Sequence, residues 1–266
     1  WATGNPWPNS DDSERGGDNL FTNCVLALDP ATGKLKWYYQ FTPHDVHDWD
    51  ATEPNVLVDA NYQGQPRKLL LHADRNGFFY VFDRTNGRLL LAKSFMHRVT
   101  WASGIGADGR PVPMPAGDLS CPDHATNWNG TAFSPLTRLY YVMATEKCTV
   151  KLSPGSWKTA RPPEDPGKKY LRALDIETGK IAWEIPQVGP VDGKRVAGLL
   201  ATAGGLLFYG DPSGYFLAAD ERDGKTLWRL PLNATIKTSP MTYSVGGEQF
   251  ITLAVGSNIM SFGLPQ

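Results

Sequence analysis

The chain of 266 residues carries 26 Lys and Arg against 27 Asp and Glu, a formal net charge of −1. That balance offers no basic footprint for nucleic acid and no polybasic patch for a membrane surface, and no apolar run approaches the roughly 18–20 residues needed to span a bilayer. Its 27 Gly, 21 Pro, nine Trp and ten Tyr predict an all-β protein of many short strands joined by tight turns and packed through large aromatic side chains.

In chain order, the first candidate is Gly4-Asn5-Pro6, where Asn-Pro is an ordinary turn initiator. No basic-then-apolar leader follows Trp1. Asp18 comes after two glycines and reads as loop. The stretch ALDPATGKLKW (27–37) reads as a hairpin: a strand ends at Asp29, whose carboxylate can bond turn amides, Gly33 supplies a positive φ, and the next strand leaves through Lys34 toward Trp37. Right after Thr42-Pro43 comes HDVHDWD (44–50), with two imidazoles and three carboxylates. Its His44, Asp45, His47 and Asp48 resemble a zinc hydrolase loop, but zinc favours tetrahedral nitrogen and sulfur sites, and His72, His97 and His124 are widely scattered. His44 and His47 are therefore read as polar loop residues and Asp45 as a turn cap. If this segment is extended, Asp48 and Asp50 point to the same side, and two anions on one face call for a cation. In HADRNG (72–77), Asn76-Gly77 signals a type I′ turn beside Arg75.

The hairpin of 27–37 recurs as VFDRTNGRLLL (81–91), ALDIETGKIAW (173–183) and AADERDGKTLW (218–228). The turn glycines fall at 33, 87, 179 and 224, intervals of 54, 92 and 45 residues. The longest interval is about twice the shortest, and GTAFSPLTRLYYVMA (130–144) fills it with a further turn between apolar strands. A period near 45 residues is that of a four-stranded β-propeller blade, and the Trp closing three of the four repeats is the natural wedge between neighbouring blades. Four or five blades form part of a ring or a small open array, here taken as a single segment over 1–266. Cys121 and Cys148 flank one candidate hairpin and are paired, which favours an oxidising compartment, while Cys24 is left as a small buried thiol. Asn127, between Thr126 and Trp128, reads equally as a structural amide or as a ligand contact.

The ordered set ATGNP, TPHDVHDWD and LHADRNGFFYVFDRTNG, together with the ALDPxTGKxxW repeats, resembles the C-terminal half of the pyrroloquinoline quinone (PQQ) dependent alcohol dehydrogenases, the methanol and ethanol dehydrogenase family. The resemblance covers nearly the whole chain and implies about half of an eight-bladed propeller, the N-terminal half being absent. It implies Asn5 and Asp48 as metal ligands, with Asp48 also the catalytic base, and Arg75 as the donor to the reactive quinone oxygens. It further implies Asn127 as a cofactor contact. Asp50 matches the extra carboxylate of the lanthanide-dependent members, which gives a lanthanide ion with calcium as the alternative. A trivalent ion rewards each added carboxylate more than calcium does.

Several family features are not found in this sequence. These are a further glutamate ligand, a tryptophan stacking on one quinone face and an adjacent-cysteine disulfide on the other. A Trp-Gly-Gly stretch expected before ATAGGLLFYGDPSGYF stands here as Val196-Ala197-Gly198. There is no Cys-x-x-Cys-His for covalent haem, so electrons are expected to leave to a separate carrier such as a cytochrome c. The resemblance thus implies periplasmic oxidation of a primary or secondary alcohol to an aldehyde or ketone, with self-pairing or a missing N-terminal half completing the site. The alternative is a non-catalytic propeller scaffold that binds protein partners, like an outer-membrane assembly lipoprotein.

Overall fold

The computed structural model describes every residue except 116, 152–158, 161, 163, 164, 190, 192–196 and 264–266. The described residues form strands, turns and loops and no helix. They fall into two compact units, one of Trp1–Trp128, Ala144–Lys168 and Ile176–Lys180, the other of Asn129–Met143, Lys169–Asp175 and Ile181–Gln266.

The first unit is built around a four-stranded antiparallel meander of Val56–Tyr62, Gln65–Ala73, Phe78–Asp83 and Arg88–Ser94. Beside it lie the pairs Cys24–Leu28 with Leu35–Gln40 and Ala102–Ile105 with Pro111–Pro113. Its core gathers Val25, Phe41, Leu70, Phe78, Tyr80 and Phe82, with Trp37, Tyr39 and Trp101 packed on the flank. Phe78–Asp83 is buried at five successive positions, as expected of an inner strand covered on both faces. Ala132–Ser134, Leu139–Glu146, Lys168–Asp175 and Ile181–Pro186, most of whose residues fall in the second unit, form one four-stranded sheet in that order. Leu199–Ala201, Leu206–Gly210, Tyr215–Asp220 and Thr226–Pro231 form another, and Met241–Val245, Glu248–Val255 and Asn258–Gly263 a three-stranded sheet. The stretch 130–144 thus supplies the first two strands of the sheet that carries the third repeat.

Three of the four repeat hairpins close in the same way. Gly33, Gly87 and Gly224 donate their N–H to the carbonyls of Asp29, Asp83 and Asp220 at 2.8–2.9 Å. The Asp carboxylates accept turn amides, Asp29 from Thr32 at 3.0 Å and Asp83 from Thr85 at 3.0 Å. In all four repeats the ladder register slips just before the aspartate, at Ala27/Leu28, Val81/Phe82, Ala173/Leu174 and Ala218/Ala219. The tryptophans dock on the turns of the following repeats. Trp37 Nε1 donates to Arg84 O at 3.1 Å, and Trp183 Nε1 to Glu221 O at 3.2 Å. A Cβ on Gly87 would meet the Trp37 ring at 2.6 Å, and one on Gly224 would meet Trp183 at 2.8 Å, so each turn glycine makes room for the indole. Cys121 and Cys148 form a disulfide and Cys24 is a buried free thiol.

Two local expectations are corrected. The turn at 74–77 is not type I′, which requires a positive φ at both central residues. Only Gly77 has one (95°); Gly77 N–H bonds Asp74 O and Asp74 N–H bonds Phe78 O, so the glycine takes up the reversal alone. The segment through 48–50 is not regularly extended either: Asp48 adopts φ 64°, and the alternation argument for Asp48 and Asp50 lapses there.

Candidate functional site

The turn carrying Arg75 is immobilised before any ligand is considered. Asp74, Arg75 and Asn76 are all buried. The Asn76 amide donates to Phe41 O, Thr42 Oγ1 and Tyr80 Oη, and Trp101 Nε1 donates to Asn76 O at 2.8 Å. Ala125 N–H bonds Arg75 O at 2.9 Å, which brings the 125–128 segment alongside. From this base the guanidinium reaches three acceptors. Nη1 donates to Asp50 Oδ2 at 2.9 Å and to Asp48 O at 3.1 Å, and Nη2 donates to Asn127 Oδ1 at 3.1 Å. The Trp128 ring lies under the guanidinium at 5.3 Å, an attractive cation–π distance.

Asp50 also accepts the Asn5 main-chain N–H at 3.1 Å through Oδ1. A Cβ on Gly4 would sit 2.7 Å from that oxygen, so the glycine of the Gly-Asn-Pro stretch lets the backbone approach the carboxylate. The Asn5 side-chain N–H₂ donates to Pro6 O, and among the described residues its Oδ1 accepts no hydrogen bond. The five residues singled out in the sequence are therefore placed as follows. Asp50, Arg75 and Asn127 are joined through their side chains, while Asn5 and Asp48 enter this network through main-chain atoms.

The Asp48 carboxyl is pushed above the ordinary carboxylate value by burial, with Asp50 adding to the rise and Asn9 and Arg75 opposing it. Three residues that the sequence did not single out share this neighbourhood. Glu53 is buried with Oε1 3.2 Å from Arg75 Nε. His124 has its imidazole held below the ordinary value by burial, and Arg75 and Asp48 both act on it electrostatically. Trp128 is the third. No spacing rule flags Glu53 or His124, because their burial comes from contacts distant in sequence.

The rest of the heptad is occupied structurally. Asp45 caps the loop, its two oxygens accepting the His47 and Trp49 N–H groups at 2.7 and 2.8 Å. His47 stacks on Trp49 at 4.1 Å, and His44 bonds Gly17 O and Asp12. Asp18 pairs with Arg110 at 2.9 Å in a loop. Among the described residues, the His/Cys/Asp/Glu group close enough to share an ion is Glu53, His72 and Asp74, outside the heptad. Val196 lies outside the described residues, so the substituted Trp-Gly-Gly stretch has no structural description at that position.

Four-stranded antiparallel meanders with tryptophans docked on the turns of following repeats define a β-propeller domain, and the carboxylate, amide and guanidinium cluster sets it apart from a plain repeat scaffold. Residues 1–93 and 165–251 match the family described as PQQ: Glucose/ethanol/alcohol dehydrogenase, beta-propeller domain, and the chain belongs to that family. It is 38% identical to the quinohemoprotein alcohol dehydrogenase of Comamonas testosteroni, over 96% of this chain and 39% of that protein. The crystal structure of that relative superposes with a TM-score of 0.86 at 34% identity, over 97% of this chain and 42% of the other. The chain is 36% identical to the 1-butanol dehydrogenase (cytochrome c) of Thauera butanivorans, over 96% of this chain and 40% of the relative. A europium-containing methanol dehydrogenase superposes with a TM-score of 0.80 at 32% identity, over 95% of this chain and 48% of that one. The chain thus spans less than half the length of these relatives.

Proposed function

We propose that this chain is the metal- and quinone-facing part of a PQQ-dependent alcohol dehydrogenase that oxidises a primary or secondary alcohol in the periplasm. We take it to be one propeller segment of four to five blades, completed by an N-terminal half or by a second copy. The observation that carries the reading is the surplus of negative charge around Arg75. Asp50 and Glu53 pair with one guanidinium, and the nearby Asp48, its carboxyl raised by burial, has no ion pair among the described residues. Hard carboxylate and amide oxygens beside an uncompensated anion suit a lanthanide or calcium ion.

On this reading Asn5, Asp48 and Asp50 hold the cation. PQQ, when bound with that ion, supplies a polarised two-electron acceptor for the hydride of the alcohol. Asp48 takes the alcohol proton as general base. Arg75 has five N–H donors, of which three are committed to Asp48 O, Asp50 and Asn127. One Nη2 N–H is left beside the Nε–H, so two parallel Nη bonds to the quinone require Asp48 O or Asp50 to release an Nη1 N–H. The separate electron acceptor is a cytochrome c, in line with the name of the butanol relative. The scaffold alternative is not favoured, because partner binding gives no reason to bury a guanidinium between two carboxylates with a third close by.

The test is titration of the purified chain with PQQ plus lanthanum or calcium, following quinone absorbance, melting temperature and dye-linked ethanol oxidation. Saturable binding with a raised melting temperature is expected, stronger for lanthanum. Asp50→Ala is expected to weaken lanthanum binding by about 10- to 100-fold, equivalent to the roughly 1.4–2.8 kcal/mol of a lost charged contact. No response to either ion, or an unchanged affinity in Asp50→Ala, overturns the assignment.

A further inference from the structure

Arg75 is gripped on two edges, and only its Nη edge belongs to the site described above. Its Nε edge faces Glu53, which is 1% exposed and has Oε1 3.2 Å from Nε. Neither Glu53 oxygen nor Arg75 Nε meets a hydrogen-bond partner in good geometry. A fully buried carboxylate without hydrogen bonds is costly unless a charge compensates it, so its retention beside a guanidinium calls for a reason. Behind Glu53 stand His72 and Asp74, whose ligand atoms and its own lie within 4.8 Å of one another. A metal ion is not needed there, since the guanidinium already supplies the positive charge. His72 Nε2 lies 3.2 Å from Asp74 Oδ2, and Asp74 Oδ1 accepts Asn76 N–H at 2.9 Å, which fixes the turn carrying Arg75.

We propose that Glu53 is a positioning residue that holds the Nε edge of Arg75 and so fixes the direction in which the Nη edge presents its donors to a bound quinone. This rests on the proposed function for its catalytic meaning, but the anchoring itself does not. A long arginine side chain has many rotamers, and a planar fork is useful only when its plane is fixed. Asp50, the Asp48 carbonyl and Asn127 hold only the Nη atoms, and nothing among them holds the Nε edge. Glu53 holds that edge from the far side, and Trp128 limits rotation out of the plane. Burial and the charge of Asp74 push the Glu53 carboxyl well above its usual range while Arg75 opposes them. Glu53→Gln, of nearly equal shape, removes the charge and tests whether it matters.

The experiment uses the full chain and two readouts. The first is solvent exchange of the Arg75 Nε–H by NMR, assigned through its loss in Arg75→Lys and measured without cofactor. The second is PQQ affinity in the presence of lanthanum. Glu53→Gln is expected to speed Nε–H exchange and to weaken PQQ binding, each by about tenfold, with Glu53→Asp intermediate. Unchanged exchange in Glu53→Gln overturns the proposal. Should that variant fail to fold, Glu53→Asp carries the test, and wild-type exchange in Glu53→Asp overturns the proposal equally. If the wild type binds no PQQ yet exchange still accelerates in Glu53→Gln, the anchor stands and the proposed function falls.

Discussion

At the residue scale the heptad 44–50 divides its labour, and Asp48 bears the cost. A carboxyl whose pKa rises on folding binds its proton more tightly in the folded state than in the unfolded one. The stability Asp48 contributes is present below the unfolded value near 3.8 and is lost as pH rises through the raised folded value. At neutral pH without metal the ionised side chain therefore opposes folding, and a bound cation reverses that sign. Asp48→Asn removes the charge and suits the φ of 64°, since asparagine tolerates the left-handed region well. It is expected to melt about 2 °C higher than the metal-free wild type at pH 7, with the gap closing toward pH 4, and to show no ethanol oxidation. Thermal melts at the two pH values decide it, and an equal or lower melting point at pH 7 would show that Asp48 is already compensated. Asp45 was legible as a cap because its partners lie two and four residues away. Glu53 was not, because what makes it unusual is the Arg75 guanidinium, 22 positions along the chain.

At the element scale the repeat hairpin was readable because its determinants are local. The aspartate bonds its own turn, the glycine takes the left-handed position, and the tryptophan follows at a fixed offset. The register slip before each aspartate was not readable, since a bulge leaves no mark in residue type, and Asn76-Gly77 misled because Asn76 serves as a buried donor instead of a second left-handed residue. The structure also separates the two functions of a turn glycine. Gly33 has φ 69° and nothing within 4 Å of an added Cβ, whereas Gly87 has φ 76° and the Trp37 ring at 2.6 Å. Gly33→Ala is expected to cost about 1–2 kcal/mol, the left-handed strain alone. Gly87→Ala adds overpacking against the indole, for about 2–4 kcal/mol in all. Urea unfolding of both variants measures the difference, and equal costs would mean that Trp37 yields to the methyl group and does not act as a wedge.

At the scale of the whole chain, the period near 45 residues made the blades visible, while the covalent link had to be inferred from three cysteines of which two flank a hairpin. Cys121 and Cys148 are both buried, and the bond joins positions 27 apart. That loop contains His124, Asn127 and Trp128, together with Ala125, whose N–H holds the Arg75 carbonyl. Its backbone is further tied by Asp123 N–H to Lys147 O and Thr145 N–H to Ala125 O, with an Asp123–Lys147 ion pair beside them. The disulfide therefore helps to hold the 121–128 segment that brings Asn127 to the guanidinium. In the chain-entropy account, a closed loop of this length stabilises by about 3.5 kcal/mol. Replacing Cys121 and Cys148 by Ala is expected to lower unfolding free energy by about 3 kcal/mol in urea and to weaken PQQ binding by loosening the Asn127 contact. Such a bond persists only in an oxidising compartment, so chain produced under reducing conditions is expected to titrate three thiols when denatured and to melt lower until oxidised. If the reduced and oxidised chains unfold at the same urea concentration, backbone pairing alone holds the 121–148 loop, and the argument for an oxidising compartment loses its support.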